Sequence, residues 1–513
     1  MFRKILIANR GEIAVRVIRA CREMGIRAVA VYSEVDRASE HVLLADEAYS
    51  IGPAPSTESY LCIDKLIEVA RRAKAEALHP GYGFLAENPA LPRACREARV
   101  VFIGPTAEAM ELMGSKTAAR QLAARAGVPI VPGAREALGS LAAAGERAAE
   151  FGYPVLLKAV AGGGGKGMRL VRAAGELAGA FRDAQSEAEN AFGDPSLYLE
   201  KYLERPRHVE IQVLGDHHGH LIHLGERECS LQRRHQKLVE ESPSPLMTAE
   251  LRQAMGAAAV GIARAGGYTN AGTIEFLVKR SERAPLGYDF YFLEVNARLQ
   301  VEHPVTELVT GLDLVKEQIR LAAGEPLGRR QEDVTWRGHA VECRVYAEDA
   351  ENNFFPCPGR ITRLERPAGP GVRVDGYVYE GWNVPLEYDP LLAKLICWGS
   401  DRDEALARLR RALDEYLIGG IQTNLSFFRR LLERPEFVRG ELDTELINRM
   451  LEKKPPAAPP APVLEAAAVA AALTEMTAAT NGRRPGSPGL AISRWKQAAR
   501  EAALRRLGSG PRR

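Results

Sequence analysis

The sequence predicts a multidomain protein that combines an α/β unit with α+β units. Strand and helix patterns alternate over residues 4–32, which is typical of a parallel sheet. A glycine-rich hairpin and several long strand patterns follow between residues 150 and 303, and short strands separated by Gly and Pro turns begin near Trp336. A length of 513 residues, a hydrophobic content of 46% and the lack of an apolar run of membrane-spanning length indicate a soluble protein of about three to four domains.

Charge and cysteine content narrow the class of protein. The net charge of +3 is too small to predict a nucleic-acid partner. Residues 455–513 contain nine Arg or Lys and three Glu, a charge of +6, so the rest of the chain carries about −3. The seven cysteines are scattered without a C-x-x-C pair, which argues against a disulfide framework or a zinc site. The start of the chain lacks the features of a secretory signal, so we expect a cytoplasmic protein without a membrane partner.

The sequence of about the first 110 residues predicts a parallel sheet with helices on both faces. Ile5 to Ala8 form a strand, residues 13–24 a helix with one apolar stripe, and Ala28 to Tyr32 a second strand, which together make a βαβ unit. The Gly-Tyr-Gly of HPGYGFLAEN (79–88) matches only half of a dinucleotide-binding fingerprint. We therefore interpret that segment as a tight loop facing a neighbouring site.

A second region follows a helical linker at residues 116–127 and contains a run of glycines. The strand Val155 to Lys158 leads into AVAGGGGKGMRLV, which turns back into another strand. Four consecutive glycines allow backbone N–H groups to approach a bound anion closely. Lys166 is followed by Gly167 instead of Ser or Thr, so this is not a Walker P-loop. We expect a mobile lid over a polyphosphate, with a plain flexible linker as the alternative.

Histidines and basic residues cluster further along this second region. Residues 207–230 predict a hairpin that turns at Gly215-Asp216, and three of the four clustered histidines (His217, His218, His220 and His223) fall at its tip. Residues at a hairpin tip are usually solvated, so we favour this interpretation over a metal site. The basic residues of the next segment (Arg233, Arg234, His235 and Lys237) are predicted on a strand that enters a loop.

The stretch Tyr288 to His303 carries the densest set of polar groups. Its aromatic first half predicts a strand on which Glu294 and Asn296, two residues apart, face the same side. Glu275 lies on the preceding strand, and the three side chains together suit Mg²⁺ or Mn²⁺ shared with nucleotide phosphates.

Arg298, Gln300 and Glu302 follow the strand at the same spacing of two residues. A guanidinium, an amide and a carboxylate that converge can bind a small planar oxyanion, with the acid placed to take a proton. The alternative is an edge strand with a solvated polar face, an interpretation that suits any single pair of these residues better than all five.

In order, the motifs IANRGEIA, HPGYGFLAEN, AGGGGKGMR, EKYL, QRRHQK, EVNARLQVEHPVTE and HAVECR resemble those of biotin carboxylase, an ATP-grasp ligase. The resemblance covers residues 1 to about 450. It implies an N-terminal Rossmann-like, pre-ATP-grasp domain (1–115), an ATP-grasp domain (116–330) whose lid covers about 130–203, and a C-terminal α+β biotin carboxylase domain (335–450). Residues 453–513 form a Pro/Ala linker and a basic tail outside it.

The resemblance also implies a reaction and a set of roles. ATP and bicarbonate form carboxyphosphate, which releases CO₂ and a phosphate that helps deprotonate the ureido nitrogen of biotin. The nucleotide-binding positions are Lys116, Lys158, Gly164, Gly165, Glu200, Lys201, Tyr202, Leu203, His208, Gln232, His235 and Leu277, and the metal ligands are Glu275, Glu294 and Asn296. The bicarbonate site comprises Lys237, Arg298, Gln300, Val301 and Glu302, with Glu302 as the base; Arg344 stabilises the biotin enolate, and Tyr82 and Gln236 border biotin.

Partners are implied in the same way. Family members carry biotin on the lysine of an Ala-Met-Lys-Met motif, and this chain has no Met-Lys dipeptide, so biotin should arrive on a separate carrier protein. The chain is also too short to include a carboxyltransferase, which should be a different polypeptide of the same complex. An acetyl-CoA carboxylase is the preferred setting, with pyruvate or propionyl-CoA carboxylase as alternatives, and the family implies a homodimer.

Two other functions and one further segment stay open. The first rival function is a carbamoyl-phosphate synthetase half, which would lack the HAVECR arginine, and the second is a non-catalytic nucleotide-binding scaffold. The basic tail contains Trp495, Ala498, Ala499 and Ala502 on one helical side. It is either a helix that docks a partner subunit or a composition-biased extension.

Overall fold

A computed structural model of the protein describes residues 1–133, 137–160 and 167–452, together with Val469 and Ala472. The chain divides into two units, Met1–Met450 and Leu451–Arg513, and the architecture below is that of the first. The glycine run with Gly164 and Gly165, and nearly all of the predicted tail, lie outside the described residues.

Strands dominate the second half of the first unit. They are β1 (Lys4–Ile7), β2 (Arg27–Ser33), β3 (Glu47–Gly52), β4 (Ala77–His79), β5 (Val101–Phe102), β6 (Val155–Ala159), β7 (Met168–Val171), β8 (Leu197–Lys201), β9 (Arg207–Gly215), β10 (Leu221–Arg233), β11 (Gln236–Ser242), β12 (Asn270–Arg280), β13 (Tyr288–Asn296), β14 (His339–Tyr346), β15 (Glu348–Asp349), β16 (Phe355–Pro356), β17 (Gly359–Arg360), β18 (Arg363–Glu365), β19 (Val372–Gly376), β20 (Asn383–Val384), β21 (Leu391–Gly399) and β22 (Leu417–Gly419).

The helices lie mainly at the two ends of the unit and around β6–β8. They are α1 (Gly11–Glu23), α2 (Glu40–Leu44), α3 (Ile63–Ala73), α4 (Ala90–Glu97), α5 (Ala107–Gly114), α6 (Lys116–Arg125), α7 (Leu141–Phe151), α8 (Leu177–Phe192), α9 (Ala249–Ala265), α10 (His303–Thr310), α11 (Leu314–Ala322), α12 (Arg402–Glu415), α13 (Leu425–Leu431), α14 (Pro435–Val438) and α15 (Leu446–Glu452). Among the described helices, none combines the length and the apolar character needed to span a membrane.

A parallel sheet of five strands in the order β3-β2-β1-β4-β5 forms the first region. Side chains of β1 alternate between two cores, because successive residues of a strand point to opposite faces. Ile5 and Ile7 pack in one core with α1 and α11, whereas Leu6 packs in the other with α3 and α4. The predicted βαβ unit and the helices on both faces are therefore confirmed.

An antiparallel sheet of eight strands in the order β13-β12-β9-β10-β11-β14-β21-β19 forms the centre of the first unit. Strands from both sides of the predicted boundary near residues 330–335 share this sheet. This shared sheet brings together polar groups from several strands, namely β9, β11, β12, β13 and β14.

The segment between β10 and β11 corrects one prediction. Arg233 ends β10 and Gln236 begins β11, so Arg234 and His235 form a two-residue hairpin turn instead of a strand entering a loop. Both turn residues have positive φ, +50° and +67°, as a tight two-residue hairpin turn requires. The prediction failed because neither Arg nor His is a usual turn residue.

A smaller antiparallel sheet, β7-β6-β8, includes the two strands that flank the glycine run. It has its own core, in which Val155, Leu157 and Leu199 pack against Phe181 of α8. The two strands of the predicted glycine-rich hairpin are therefore confirmed.

Candidate active site

Lys237 of β11 lies at the centre of the polar groups. Its Nζ is 2.6 Å from Glu210 Oε2, 2.8 Å from Glu275 Oε1 and 2.7 Å from Glu302 Oε1. Glu210 and Glu275 are directly opposite each other on the paired strands β9 and β12, so they face the same side. Burial lowers the pKa of Lys237, but the three carboxylates outweigh it and hold that pKa well above its ordinary value.

Glu302 is fully buried and is held by two cations from different strands. Its Oε2 accepts a hydrogen bond of 2.7 Å from Arg344 Nη2, and Arg344 Nε donates to Glu240 Oε1 at 2.6 Å. Burial raises the pKa of Glu302, but Lys237, Arg344 and Arg227 lower it more, to well below its ordinary value. Glu302 is therefore ionised at neutral pH, the form that can accept a proton.

Arg298 and Gln300 lie on the turn between β13 and α10. Arg298 Nη1 donates to Gln300 Oε1 at 2.8 Å, and its Nη2 lies 3.3 Å from Asn296 Oδ1. Gln300 Nε2 donates to Glu275 Oε1 at 3.2 Å. His303, followed by Pro304 in the first helical turn, begins α10 and ends the turn. Arg298 and Gln300 are therefore in contact, as predicted, but the turn brings them together and not the alternation of a strand.

The loop at residues 79–88 faces this turn, which confirms its predicted placement. Glu87 Oε1 accepts from the backbone N–H of Ala297 at 3.0 Å, and its Oε2 accepts from Arg298 Nε at 2.9 Å. Asn9 Nδ2 holds the loop by donating to the carbonyl oxygens of Pro80 (2.8 Å) and Tyr82 (2.7 Å). Asn9 of the IANRGEIA motif thus positions the loop that contacts Arg298.

The predicted metal ligands lie on two paired strands. Glu275 and Glu294 are directly opposite across β12 and β13, and Asn296 Nδ2 donates to Glu275 Oε1 at 2.8 Å. Burial and the nearby Glu275 raise the pKa of Glu294, while Lys116 lowers it. Two neighbouring carboxylates that repel each other, with an amide oxygen beside them, fit a hard divalent cation. Their role as ligands stays a prediction.

A second set of possible ligands surrounds Lys237. Ligand atoms of His208, Glu210 and Glu275 lie within 4.8 Å of one another, as do those of Glu210, Cys229 and Glu302. Each of these glutamates already contacts the Lys237 ammonium, which neutralises part of their charge. Glu294 differs, because it forms no ion pair with Lys237 among the described residues, so a metal is favoured more on the Glu294 side of Glu275 than in these groups.

Lys158 and Glu200 form the centre of the predicted nucleotide side. Glu200 is buried on β8 and forms ion pairs with Lys158 of β6 and with Arg120 of α6. Lys201 Nζ donates to the carbonyl oxygens of Gly152 (2.7 Å) and Tyr153 (3.1 Å). Of the predicted residues 200–203, Lys201 thus uses its side chain to hold the segment before β6.

Two further residues of this segment contact protein. The Tyr202 hydroxyl donates to Glu445 Oε1 at 2.7 Å, and Leu203 is 9% exposed. The backbone N–H groups of Lys201 and Tyr202 also donate to protein, to the carbonyl oxygens of Pro132 (2.7 Å) and Pro154 (3.1 Å). The nucleotide contacts of residues 200–203 stay a prediction.

His208, Gln232 and Leu277 lie beside the carboxylates. Gln232 Nε2 donates to His208 Nδ1 at 2.7 Å, and His208 Nε2 is 2.9 Å from Glu275 Oε2, so the ring proton is assigned to Nε2. Burial lowers the pKa of His208, but Glu275 outweighs it and the net shift is upward. Leu277 pairs with His208 across β9 and β12. His235 lies in the hairpin turn, where burial and then the charge of Lys158 lower its pKa.

Tyr82 and Gln236 are the predicted biotin-bordering residues, and Val301 belongs to the predicted bicarbonate site. Val301 accepts a hydrogen bond from Lys394 Nζ at 2.9 Å, and the same ammonium lies 5.8 Å from the ring centre of Tyr82. Gln236 shares a side-chain hydrogen bond with Tyr346, two residues after Arg344. The structure thus brings these residues near Arg344 and Glu302, with their roles still predictions.

Sequence reasoning missed several partners of the site, four of which are buried and two of which, Glu87 and Arg120, are not. They are Glu87, Arg120, Glu210, Arg227, Glu240 and Lys394. Arg227 is fully buried and donates to Gln212 Oε1 at 2.7 Å and Thr273 Oγ1 at 2.9 Å. A signal was present for Glu210, because Glu210 and Gln212 stand two apart in an apolar strand, the same pattern that identified Glu294 and Asn296.

Comparison with known families matches almost the whole first unit. Residues 1–110 match the biotin carboxylase N-terminal domain, residues 115–330 the ATP-binding domain of the carbamoyl-phosphate synthase L chain, and residues 342–449 the biotin carboxylase C-terminal domain. A pyruvate carboxylase subunit from Methanothermobacter thermautotrophicus is 54% identical over 449 residues, covering 87% of this chain and 90% of the relative. Biotin carboxylase 1 of Bacillus subtilis is 53% identical over 448 residues, covering 87% and 98%.

Solved structures agree with the sequence relatives. The biotin carboxylase domain dimer of Hydrogenobacter thermophilus 2-oxoglutarate carboxylase, in complex with MgADP, ADP and bicarbonate, has a TM-score of 0.83 and 47% identity, covering 88% of this chain and 98% of that one. The β,γ-ATP complex of biotin carboxylase from Campylobacter jejuni has a TM-score of 0.84 and 47% identity, covering 88% and 99%.

The fold and the site together define an ATP-grasp ligase, with a parallel-sheet domain before the ATP-binding domain and a third domain after it. This confirms the predicted fold class. The three family matches and the two relatives above 50% identity show more: the chain belongs to the biotin carboxylase family.

Proposed function

We propose that this chain carboxylates biotin on a separate carrier protein, with bicarbonate as the source of carbon and ATP as the source of energy. The observation that carries the proposal is the contact of Glu302 with both Lys237 and Arg344, 2.7 Å from each. An ionised carboxylate between a predicted bicarbonate-binding lysine and a predicted biotin-binding arginine can serve both halves of the reaction.

The nucleotide side supports phosphoryl transfer. Lys116 and Lys158 would bind phosphate oxygens, with Glu275, Glu294 and Asn296 holding Mg²⁺. When bound, the ion would neutralise charge on the phosphates that are transferred. This chain contributes fixed positive charge and positioning, which is what a phosphoryl transfer needs most.

The bicarbonate side supports recognition and activation of a small anion. Arg298, held by Glu87 and Gln300, would direct its remaining Nη2 N–H group at bicarbonate, while Lys237 supplies a second positive charge. Glu302 would take the proton of bicarbonate as its oxygen attacks the terminal phosphate of ATP. Full burial of Glu302, together with a Lys237 side chain that is only 12% exposed, limits access of water, which would otherwise hydrolyse carboxyphosphate.

The biotin side is the third part of the proposal. Arg344, paired with Glu240, would stabilise the negative charge that develops on the ureido oxygen after deprotonation. Tyr82 and Gln236 would border the bicyclic ring. The phosphate released from carboxyphosphate would accept the ureido proton, so this step requires no further acid or base from the protein.

We place the chain in an acetyl-CoA carboxylase, where it would act with a carrier protein and a carboxyltransferase as a cytoplasmic homodimer. Pyruvate is the second candidate acceptor, because a relative at 54% identity is named as part of a pyruvate carboxylase. Co-purification tests both, since the biotinylated protein and the carboxyltransferase bound to this chain would identify the acceptor. A carboxyltransferase active on pyruvate but not on acetyl-CoA would contradict our choice.

Steady-state kinetics test the reaction itself. Purified protein with ATP and Mg²⁺ should release ADP at a rate that depends on both bicarbonate and free biotin. A rival function, suggested by the family description of residues 115–330, is carbamoyl-phosphate synthesis. It predicts ADP release that free biotin does not increase.

A further inference from the structure

Lys394 is a fully buried lysine at the back of the candidate active site. It lies on β21, directly opposite Arg344 of β14 and Asp375 of β19. Residues directly opposite in an antiparallel pair point to the same face of the sheet. Lys394 therefore faces the same side as Arg344, toward the turn that carries Glu302.

The contacts of Lys394 are few and specific. Its Nζ donates to the carbonyl oxygen of Val301 at 2.9 Å and lies 3.2 Å from Glu12 Oε1. It also lies 5.8 Å from the ring centre of Tyr82. A buried ammonium is costly unless it is paired and hydrogen-bonded, so these contacts determine where Lys394 can be placed.

Val301 is the residue between the two predicted bicarbonate contacts Gln300 and Glu302. A hydrogen bond to its carbonyl fixes the peptide plane that joins Val301 to Glu302. Arg344 holds the Glu302 carboxylate from the neighbouring strand. Two cations on adjacent strands thus hold the backbone of Val301 and the side chain of Glu302.

We propose that Lys394 is a positioning residue for the bicarbonate site. It acts through the Val301 carbonyl, which keeps Gln300 and Glu302 aligned with Arg298 and Lys237, and it does not touch the substrate. The inference rests on the proposed function, because it assigns bicarbonate to that site.

Glu12 provides the competing explanation of why this lysine is buried. The Glu12 carboxyl is 4% exposed on α1, and Lys394 could serve only to neutralise it. In that case, loss of Lys394 would affect folding, and it would spare the bicarbonate site in any molecule that folds. The two explanations therefore differ in which substrate the loss affects.

The test is the substitution Lys394→Met, which keeps an unbranched side chain of similar length and removes the donor. We expect the KM for bicarbonate to rise, and kcat/KM to fall, by about tenfold to a hundredfold, the loss that follows removal of one hydrogen bond from a charged donor. The KM for ATP should stay within about twofold, because the ATP contacts lie on other strands. A smaller folded fraction would lower kcat and leave both KM values unchanged.

Lys65→Met is the matched control. Lys65 also donates to backbone carbonyl oxygens, those of Ile51 (3.0 Å) and Glu58 (2.6 Å), in the first region. Its loss should leave the bicarbonate kinetics unchanged. Wild-type protein must first show bicarbonate- and biotin-dependent ADP release, and failure there would refute the proposed function and not the role of Lys394.

The double variant Lys394→Met with Glu12→Gln separates the two explanations even if the single variant folds poorly. It removes both members of the buried ion pair, so its melting temperature should recover. We expect the bicarbonate defect to remain, because Val301 still lacks its donor. A wild-type KM for bicarbonate in either variant would overturn the proposal.

Discussion

Glu302→Gln is the sharpest test of the proposed base. The substitution keeps the size and the planar end of the side chain and removes its charge. In the structure, Glu302 accepts from Lys237 at 2.7 Å through one oxygen and from Arg344 at 2.7 Å through the other. An amide can accept from only one of these donors, and its own N–H₂ group then faces the second cation.

These contacts determine how much the substitution should lower stability and kcat. Lys237 keeps Glu210 and Glu275, and Arg344 keeps Glu240, so neither cation is left unpaired. We expect a loss of stability of about 1–3 kcal/mol, the cost of one mispaired buried group. The loss of a general base should lower kcat by about a hundredfold or more.

A second buried glutamate offers a matched control. Glu342 is also fully buried, on β14, but burial raises its pKa well above the ordinary value, in contrast to Glu302. Neither of its carboxyl oxygens has a hydrogen-bond partner among the described residues. Glu342→Gln therefore breaks no hydrogen bond to the described residues, and its rate should stay within about twofold of wild type.

The assay measures ADP release with saturating bicarbonate and biotin, together with nucleotide binding. Glu302→Gln should bind ATP normally but lose turnover. Glu342→Gln should bind ATP normally and keep its turnover. A Glu302→Gln rate above about a tenth of wild type would refute the role of Glu302 as the base. Equal losses in the two variants would show that burial, and not the proton, explains the effect.

Three further predictions concern the metal, pH and the tail. Glu294→Gln should raise the Mg²⁺ concentration at half-maximal rate at least about tenfold, whereas an unchanged Mg²⁺ titration would exclude Glu294 as a ligand. Burial raises the pKa of Glu12 from 4.5 to about 7, so only the folded state holds this proton in that window, and stability falls as pH rises through it. Glu12→Gln should therefore reduce the fall in melting temperature between pH 5.5 and 7.5; an equal fall would contradict this explanation. Truncation after Lys454 should leave ADP release unchanged and weaken co-purification of partner subunits, and unchanged co-purification would dispose of docking by the tail.

Local patterns predicted what a single strand determines. The spacing of Glu294 and Asn296 placed both on one face of β13, and the partner Glu275 came from the same reasoning on β12. The parallel first sheet followed from alternating strand and helix patterns. These features are local, because a residue's position along a strand already decides its face.

The buried ion pairs of the site were harder to predict. Lys237, Glu302 and Arg344 come from three separate segments, and only the resemblance of whole motifs grouped them before the structure did. Glu240 and Lys394 carry no local signal, because a charged residue in a strand pattern usually indicates a solvated face. Their burial depends on partners that lie far away in the chain, which no window of sequence contains.

Transfer of labelled carbon from bicarbonate to biotin tests the central claim most directly. With ATP, Mg²⁺ and free biotin, the purified chain should form acid-labile carboxybiotin in step with ADP. Omission of biotin or bicarbonate should each abolish the labelled product. ADP release at the full rate without bicarbonate, and with no label on biotin, would contradict the account.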